Sequence, residues 1–138
     1  ELYFNRDCSA MIRDLFAPFS IWLPRNSRSQ AKHGGLFLDI STMSEDQKQE
    51  FIIDNGVPYL TLLWFPGHIM LYIGDKNNES LVFHNIWGIR TKDESKRKII
   101  GKAVITTLKP GEELPNIDDS YNFLKRLKGM TLLTPRYN

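Results

Sequence analysis

The chain is poor in the residues that build covalent frameworks and metal centres: 138 residues contain one cysteine and three histidines. A single cysteine excludes an internal disulfide and every zinc motif made of several thiolates, and it leaves a lone thiol whose role needs explaining. Long apolar runs are also missing. The stretch YLTLLWF, Tyr59 to Phe65, is interrupted by a threonine and falls far short of the ~20 residues of a membrane-spanning helix, so no transmembrane segment is expected. Nor is there a surplus of charge, since 18 Lys and Arg stand against 16 Asp and Glu. The basic stretch Lys92 to Lys98, KDESKRK, carries Asp93 and Glu94 within it and reads as a solvated loop, which gives no reason to expect a nucleic-acid partner.

What is present is the composition of a globular fold, with 41% hydrophobic, 12% aromatic and 25% charged residues. The length suits a single domain over residues 1–138, and hence one site. In NRDCSAMIRDLFAPF, Met11, Ile12, Leu15, Phe16 and Phe19 recur at helical spacing, Asp7 is a natural N-cap and Pro18 marks the end. Cys8, Ile12, Leu15 and Phe19 form one stripe, so the thiol is expected at the start of a buried face, half covered. IWLPRNSRSQAKHGG is expected to be loop with one helical turn, and STMSEDQKQEFI a short helix capped by Ser41 or Ser44. Past Gly56 come the strand-like runs PYLTLLWF, HIMLYIG, SLVFHNIWG and KAVITTL, with GDKNNES as a hairpin turn. The final DDSYNFLKRLKGMTLL suggests a short helix capped by Asp118, Asp119 or Ser120 and ended near Gly129. Helices first and a strand meander after them predict an α+β domain, an antiparallel sheet with the Cys8 helix packed on one face.

A helix N-terminus stabilises a thiolate, and a thiol nucleophile needs an imidazole base with a third polar group to orient it. His33 lies in a polar loop, whereas His68 opens one strand and His84 lies inside the next. Strand parity puts His68, Met70 and Tyr72 on one face, and His84 on one face with Val82 and Ile86. A hairpin centred near Asn77 sets His84 opposite Met70 and makes it a diagonal neighbour of His68, while a one-residue slip presents Asn85 instead. His84 is therefore the expected orienting residue and Asn85 the alternative. Tyr72, on the His68 face, is a candidate substrate contact.

Blander readings exist for each residue. A lone cysteine is most often an inert buried thiol, and a strand histidine is often satisfied by a backbone carbonyl, but the three together favour catalysis. A zinc site from Cys8, His33, His68 and His84 would lack any short ligand pair, so neither a metal nor a cofactor is expected. Arg25 and Asn26 fit ordinary turn chemistry, and Trp64 and Trp87 fit strand packing.

DCSA followed by a helix, then LPRNSRSQ, GHIMLYIG and VFHNIWG, in that order and spacing, resembles the NlpC-type family of bacterial cell-wall cysteine peptidases. Ala10 stands where that family usually has glycine. The resemblance implies a papain-like α+β fold with Cys8 as nucleophile, His68 as base and His84 as orienting residue, and with Asp7 and Ser9 lining the site for the N-terminal side of the substrate. It further implies hydrolysis of peptidoglycan stem peptides next to γ-D-glutamyl residues, a catalytic piece of a longer protein with upstream wall-binding domains, and a place in the cell envelope; a monomer is expected. Two other functions fit the same residues: a wall-binding or regulatory module that no longer cleaves, and an acyltransferase.

Overall fold

The computed structural model describes residues 8–90, 97–110 and 122–133. Its organising element is β2 (Thr61–Phe65), buried at all five positions, the pattern of a strand covered on both faces. Around it lie β1 (Leu36–Asp39), β3 (His68–Lys76), β4 (Glu79–Arg90), β5 (Arg97–Thr107) and β6 (Gly129–Leu132). They form one sheet in the order β1-β6-β2-β3-β4-β5, with every neighbouring pair antiparallel.

Helices cover both faces. On one, α1 (Cys8–Phe16) and α2 (Ser27–His33) contribute Ile12, Phe16 and Ala31 to a cluster with Leu62, Trp64, Ile69 and Leu71. On the other, α3 (Glu45–Asn55) and α4 (Phe123–Arg126) bring Ile52, Phe123 and Leu124 against Leu63, Phe65, Met70 and Tyr72. Each fully buried Leu, Ile or Met among them contributes about 1.5–3 kcal/mol. The helix α1 is shorter than its apolar spacing predicts. At Phe16 it passes into a 3-10 turn, Ala17–Phe19, that contains Pro18, and this carries Phe19 out to 72% exposure; Leu15, also expected in the stripe, is exposed, and the buried face runs through Ile12 and Phe16 instead.

Two further stretches differ from the sequence reading, and a third agrees with it. The LPRNSRSQ stretch forms a true helix, α2, because Asn26 accepts a hydrogen bond from the Ser29 N–H at 2.8 Å and so caps it. Ser44, one of the two expected caps, opens α3 with a full capping box: its hydroxyl accepts from the Gln47 N–H, and the Gln47 side chain accepts from the Ser44 N–H. At the C-terminal end the helix α4 is a single turn capped by Asn122, and GMTL, which begins where the helix was expected to end, is the strand β6 inserted between β1 and β2. Asp7, Asp118, Asp119, Ser120 and the Lys92–Lys96 part of the basic stretch lie outside the described residues, and the side chains of Ile86, Trp87, Arg97 and Lys98 are likewise not described.

Two turns position the histidines. Pro66 and Gly67 join β2 to β3 with Phe65 paired to His68, and the turn requires the left-handed φ of +91° that Gly67 supplies. Asn77 and Asn78, at φ of 54° and 62°, join β3 to β4 in a tight turn of the kind that matches strand twist. Pairing from this turn runs Lys76↔Glu79, Asp75↔Ser80, Gly74↔Leu81, then shifts by one residue to Tyr72↔Val82 and Leu71↔Phe83. The extra residue, Ile73, makes a bulge, with Gly74 at φ +128° beside it.

Candidate active site

The bulge decides which side chain meets His68. Carried on unshifted from the turn, the pairing would set Asn85 opposite Met70; the one-residue shift sets His84 there, on the face that carries His68. His68 Nε2 and His84 Nδ1 lie 2.8 Å apart, a direct hydrogen bond between the two rings. The other nitrogen of His84, Nε2, lies 2.8 Å from the Thr106 hydroxyl. Thr106 is reached by the same diagonal geometry across the next strand pair, since β4 and β5 pair His84 with Val104 and Val82 with Thr106. Three neighbouring strands thus carry a continuous polar line, His68–His84–Thr106, on one face of the sheet.

Aromatic rings enclose this line. Phe65 and Phe123 each stand with ring centroids 5.4 Å from His68, and Phe123 stands edge-on to His84 at 5.7 Å. Removed from water, an imidazole resists protonation. Burial, with the Arg126 guanidinium as a second cause, pushes His68 down from 6.5 to about 4. Burial, with His68 as its second cause, pushes His84 down to about 3. Arg126 is held over the face of Phe65 at 4.3 Å, which keeps its charge close to the pair. Both rings are therefore neutral at pH 7.

Cys8 is the first residue of α1 and is half-buried, packed with the cluster that holds Ile12 and Phe16. The helix rests against β3 and β4, the two strands that carry the imidazoles. The residue after it is tied down by the LPRNSRSQ stretch. Gln30 donates to the Ser9 carbonyl at 2.8 Å and to the Pro24 carbonyl at 2.8 Å, and Arg25 donates to the Ser9 hydroxyl at 3.1 Å. Gln30 is wholly buried, so these bonds are protected from competition with water and fix the first turn of α1 relative to α2. The Arg25 side chain is thus engaged with Ser9 as well as standing in a turn.

The structure joins His68 to His84 directly and puts Ser9 in a buried, hydrogen-bonded position beside Cys8. Tyr72 is a correction. It shares the His68 face but is 1% exposed, buried among Ile52, Met70 and Leu127, because the helices α3 and α4 cover that part of the sheet, so it lines no cleft. His33 is exposed at the end of α2. Among the described residues, no group of three or more His, Cys, Asp or Glu side chains is arranged to hold a metal ion, and no helix is long and apolar enough to cross a membrane. Sequence reasoning missed Thr106, Phe123 and Gln30. A threonine in a strand and a phenylalanine in a helix give only ordinary packing signals, whereas Gln30 stood inside a motif already singled out.

Comparison with known proteins bears on these positions. The NlpC/P60 family model matches residues 2–92, more than half of the chain, a span that includes Cys8, Ser9, His68 and His84. No curated protein matches the chain. Among solved structures, a novel NlpC/P60 endopeptidase from Photobacterium damselae subsp. piscicida is similar, with 27% identity and a TM-score of 0.76. The likeness covers 94% of this chain and 34% of that one, so the chain spans about a third of that protein's length. With the motif order, the six-stranded antiparallel sheet flanked by helices, and the family match in agreement, this chain belongs to the NlpC/P60 family.

Proposed function

We propose that the chain is the catalytic domain of a cell-wall cysteine peptidase that hydrolyses amide bonds in peptidoglycan stem peptides, next to γ-D-glutamyl residues. The observation that carries this is the 2.8 Å bond between His68 and His84 within a desolvated aromatic enclosure. A base held neutral at pH 7 and oriented by a second ring is what nucleophilic catalysis by a thiol needs. Family membership and the similarity to an NlpC/P60 endopeptidase support the same reading.

In this mechanism His68 takes the proton of Cys8 as the sulfur attacks the substrate carbonyl. The carbonyl π electrons move to oxygen, and the N–H groups at the start of α1 are suited to receive that developing charge. Collapse of the intermediate breaks the C–N bond, and His68 returns its proton to the leaving amine. Water, deprotonated by His68, then cleaves the thioester and regenerates the thiol. His84 holds the ring of His68 without touching the substrate. Ser9 and Asp7 line the side that binds the N-terminal part of the stem peptide, with the Ser9 position set by Arg25 and Gln30. Residues 1–138 act as one catalytic unit, a monomer working in the cell envelope on peptidoglycan.

Muropeptides containing L-Ala-γ-D-Glu-diaminopimelate, incubated with the parent chain and with Cys8→Ala, test the proposal by mass spectrometry. Cleavage by the parent alone is the expected result and also identifies the bond. Equal cleavage by Cys8→Ala would remove the cysteine mechanism. Transfer of the acyl group to an added amine, in place of hydrolysis, would reassign the protein as an acyltransferase.

A further inference from the structure

The polar line does not end at His84, and its last member has a direction. A threonine hydroxyl has one proton to give and lone pairs to receive with. The Thr106 hydroxyl donates to the Thr107 carbonyl at 2.7 Å, so its proton is spoken for and toward His84 it can act as acceptor. His84 must then carry its proton on Nε2 and present an unprotonated Nδ1 to His68. His68 in turn donates from its own Nε2 across the 2.8 Å contact, which leaves Nδ1 as its unprotonated nitrogen. Every link follows from the one before it.

We propose that Thr106 is a positioning residue that fixes the tautomer of both imidazoles through the directed chain His68 Nε2–H to His84, His84 Nε2–H to Thr106, Thr106 O–H to the Thr107 carbonyl, so that His68 offers a free lone pair at Nδ1. That this lone pair takes the Cys8 proton rests on the peptidase reading; the tautomer assignment does not. The assignment is consistent with two rings that burial keeps neutral, since only a neutral imidazole has a tautomer to choose. The register explains why β5 supplies the group: with Val82 opposite Thr106, the hydroxyl stands diagonally beyond His84 on the same face. A valine at this position would keep the shape and lose the acceptor. The His84 Nε2 proton would then lack a partner, and the ring would gain by moving it to Nδ1. That move reverses the bond with His68 and puts the His68 proton on Nδ1, the wrong nitrogen for a base.

Long-range 1H–15N spectra of the ring nitrogens, recorded on the labelled chain at pH 7, test this, with Thr106→Ser and Thr106→Val alongside. In the parent and in Thr106→Ser, both His68 and His84 should be protonated at Nε2 and bare at Nδ1. In Thr106→Val both should shift toward protonation at Nδ1, and kcat on muropeptides should fall about tenfold with KM unchanged, while Thr106→Ser stays within about twofold of the parent. A purely structural role for the threonine would leave the tautomers alone. Protonation of either ring at Nδ1 in the parent overturns the proposal whether or not the valine variant folds. Parent-like tautomers in a folded Thr106→Val overturn it as well. Lack of hydrolysis by the parent counts against the peptidase reading only, and the ring-nitrogen spectra still decide the role of Thr106.

Discussion

In the proposed mechanism His68 is placed where two needs compete: a base must reach the substrate, yet the rings around it exclude the water that would stabilise its charged form. Burial dominates, and the Arg126 charge adds to it, so His68 titrates at about 4 instead of 6.5. In kcat/KM the acid limb, which reports the free enzyme, should therefore lie well below pH 6.5. Arg126→Gln removes the smaller of the two causes and should move that limb upward, toward but not to 6.5. An acid limb already at 6.5 in the parent would contradict this account. His84→Ala should cost on the order of a hundredfold in kcat, because it removes orientation and not the reacting group, whereas Asn85→Ala should cost little. The reverse ranking would show that Asn85 orients the base. At this scale the sequence was most informative where polar residues interrupt apolar strands, as His68 and His84 do. It was silent on Thr106, because a hydroxyl in a β-strand looks the same whether or not a histidine lies diagonally beside it. It misled on Tyr72, because parity tells which face a residue takes and nothing about what covers that face.

The hairpin between β3 and β4 shows how an element carries a site. From the sequence, a turn centred near Asn77 was enough to set His84 opposite Met70, yet the turn is centred between Asn77 and Asn78, which by itself selects Asn85. The bulge at Ile73 cancels the half-step, so the expected neighbour is reached by a path the hydrophobic pattern does not display. Removing Ile73 should then leave pairing intact on both sides, because Tyr72↔Val82 and Gly74↔Leu81 would simply become consecutive. A protein lacking Ile73 is expected to keep its activity and to lose about 1–2 kcal/mol of stability, the cost of a half-buried isoleucine packed under α1. Denaturant melts and muropeptide assays check the two halves separately. A folded but inactive deletion would mean that the bulge sets the aim of His68 as well as the register. The elements that sequence reasoning missed, β1 and β6, are short, as is α2, whose full length it also missed, and all three are held by partners far along the chain. The strand β6 is fixed by pairing with β1 and β2, and Thr131 on it donates to the Ala31 carbonyl of α2 at 2.6 Å.

For the molecule as a whole, the two buried imidazoles couple folding to pH. Their folded pKa values, about 4 and about 3, lie below the 6.5 of an exposed histidine, so between these limits the unfolded chain binds protons that the folded chain refuses. The stability they allow is fully present above pH 6.5 and declines as pH falls toward 4. Carboxylates act in the same direction but lower: Asp39, bonded to Ser41, and Glu45, bonded to Asn122, are both held below their ordinary values and lose their contribution only under more acid conditions. The interval from pH 6.5 to 5 thus belongs mainly to the histidines, and the fold should lose about 1–2 kcal/mol per buried ring across it. Urea unfolding at pH 7, 6 and 5 measures this, and the doubly substituted His68→Gln, His84→Gln chain should show a much flatter profile over the same range. Equal slopes in the two proteins would mean that the rings accept protons in the folded state, and with that the neutral, tautomer-fixed base on which the proposed catalysis depends would be lost.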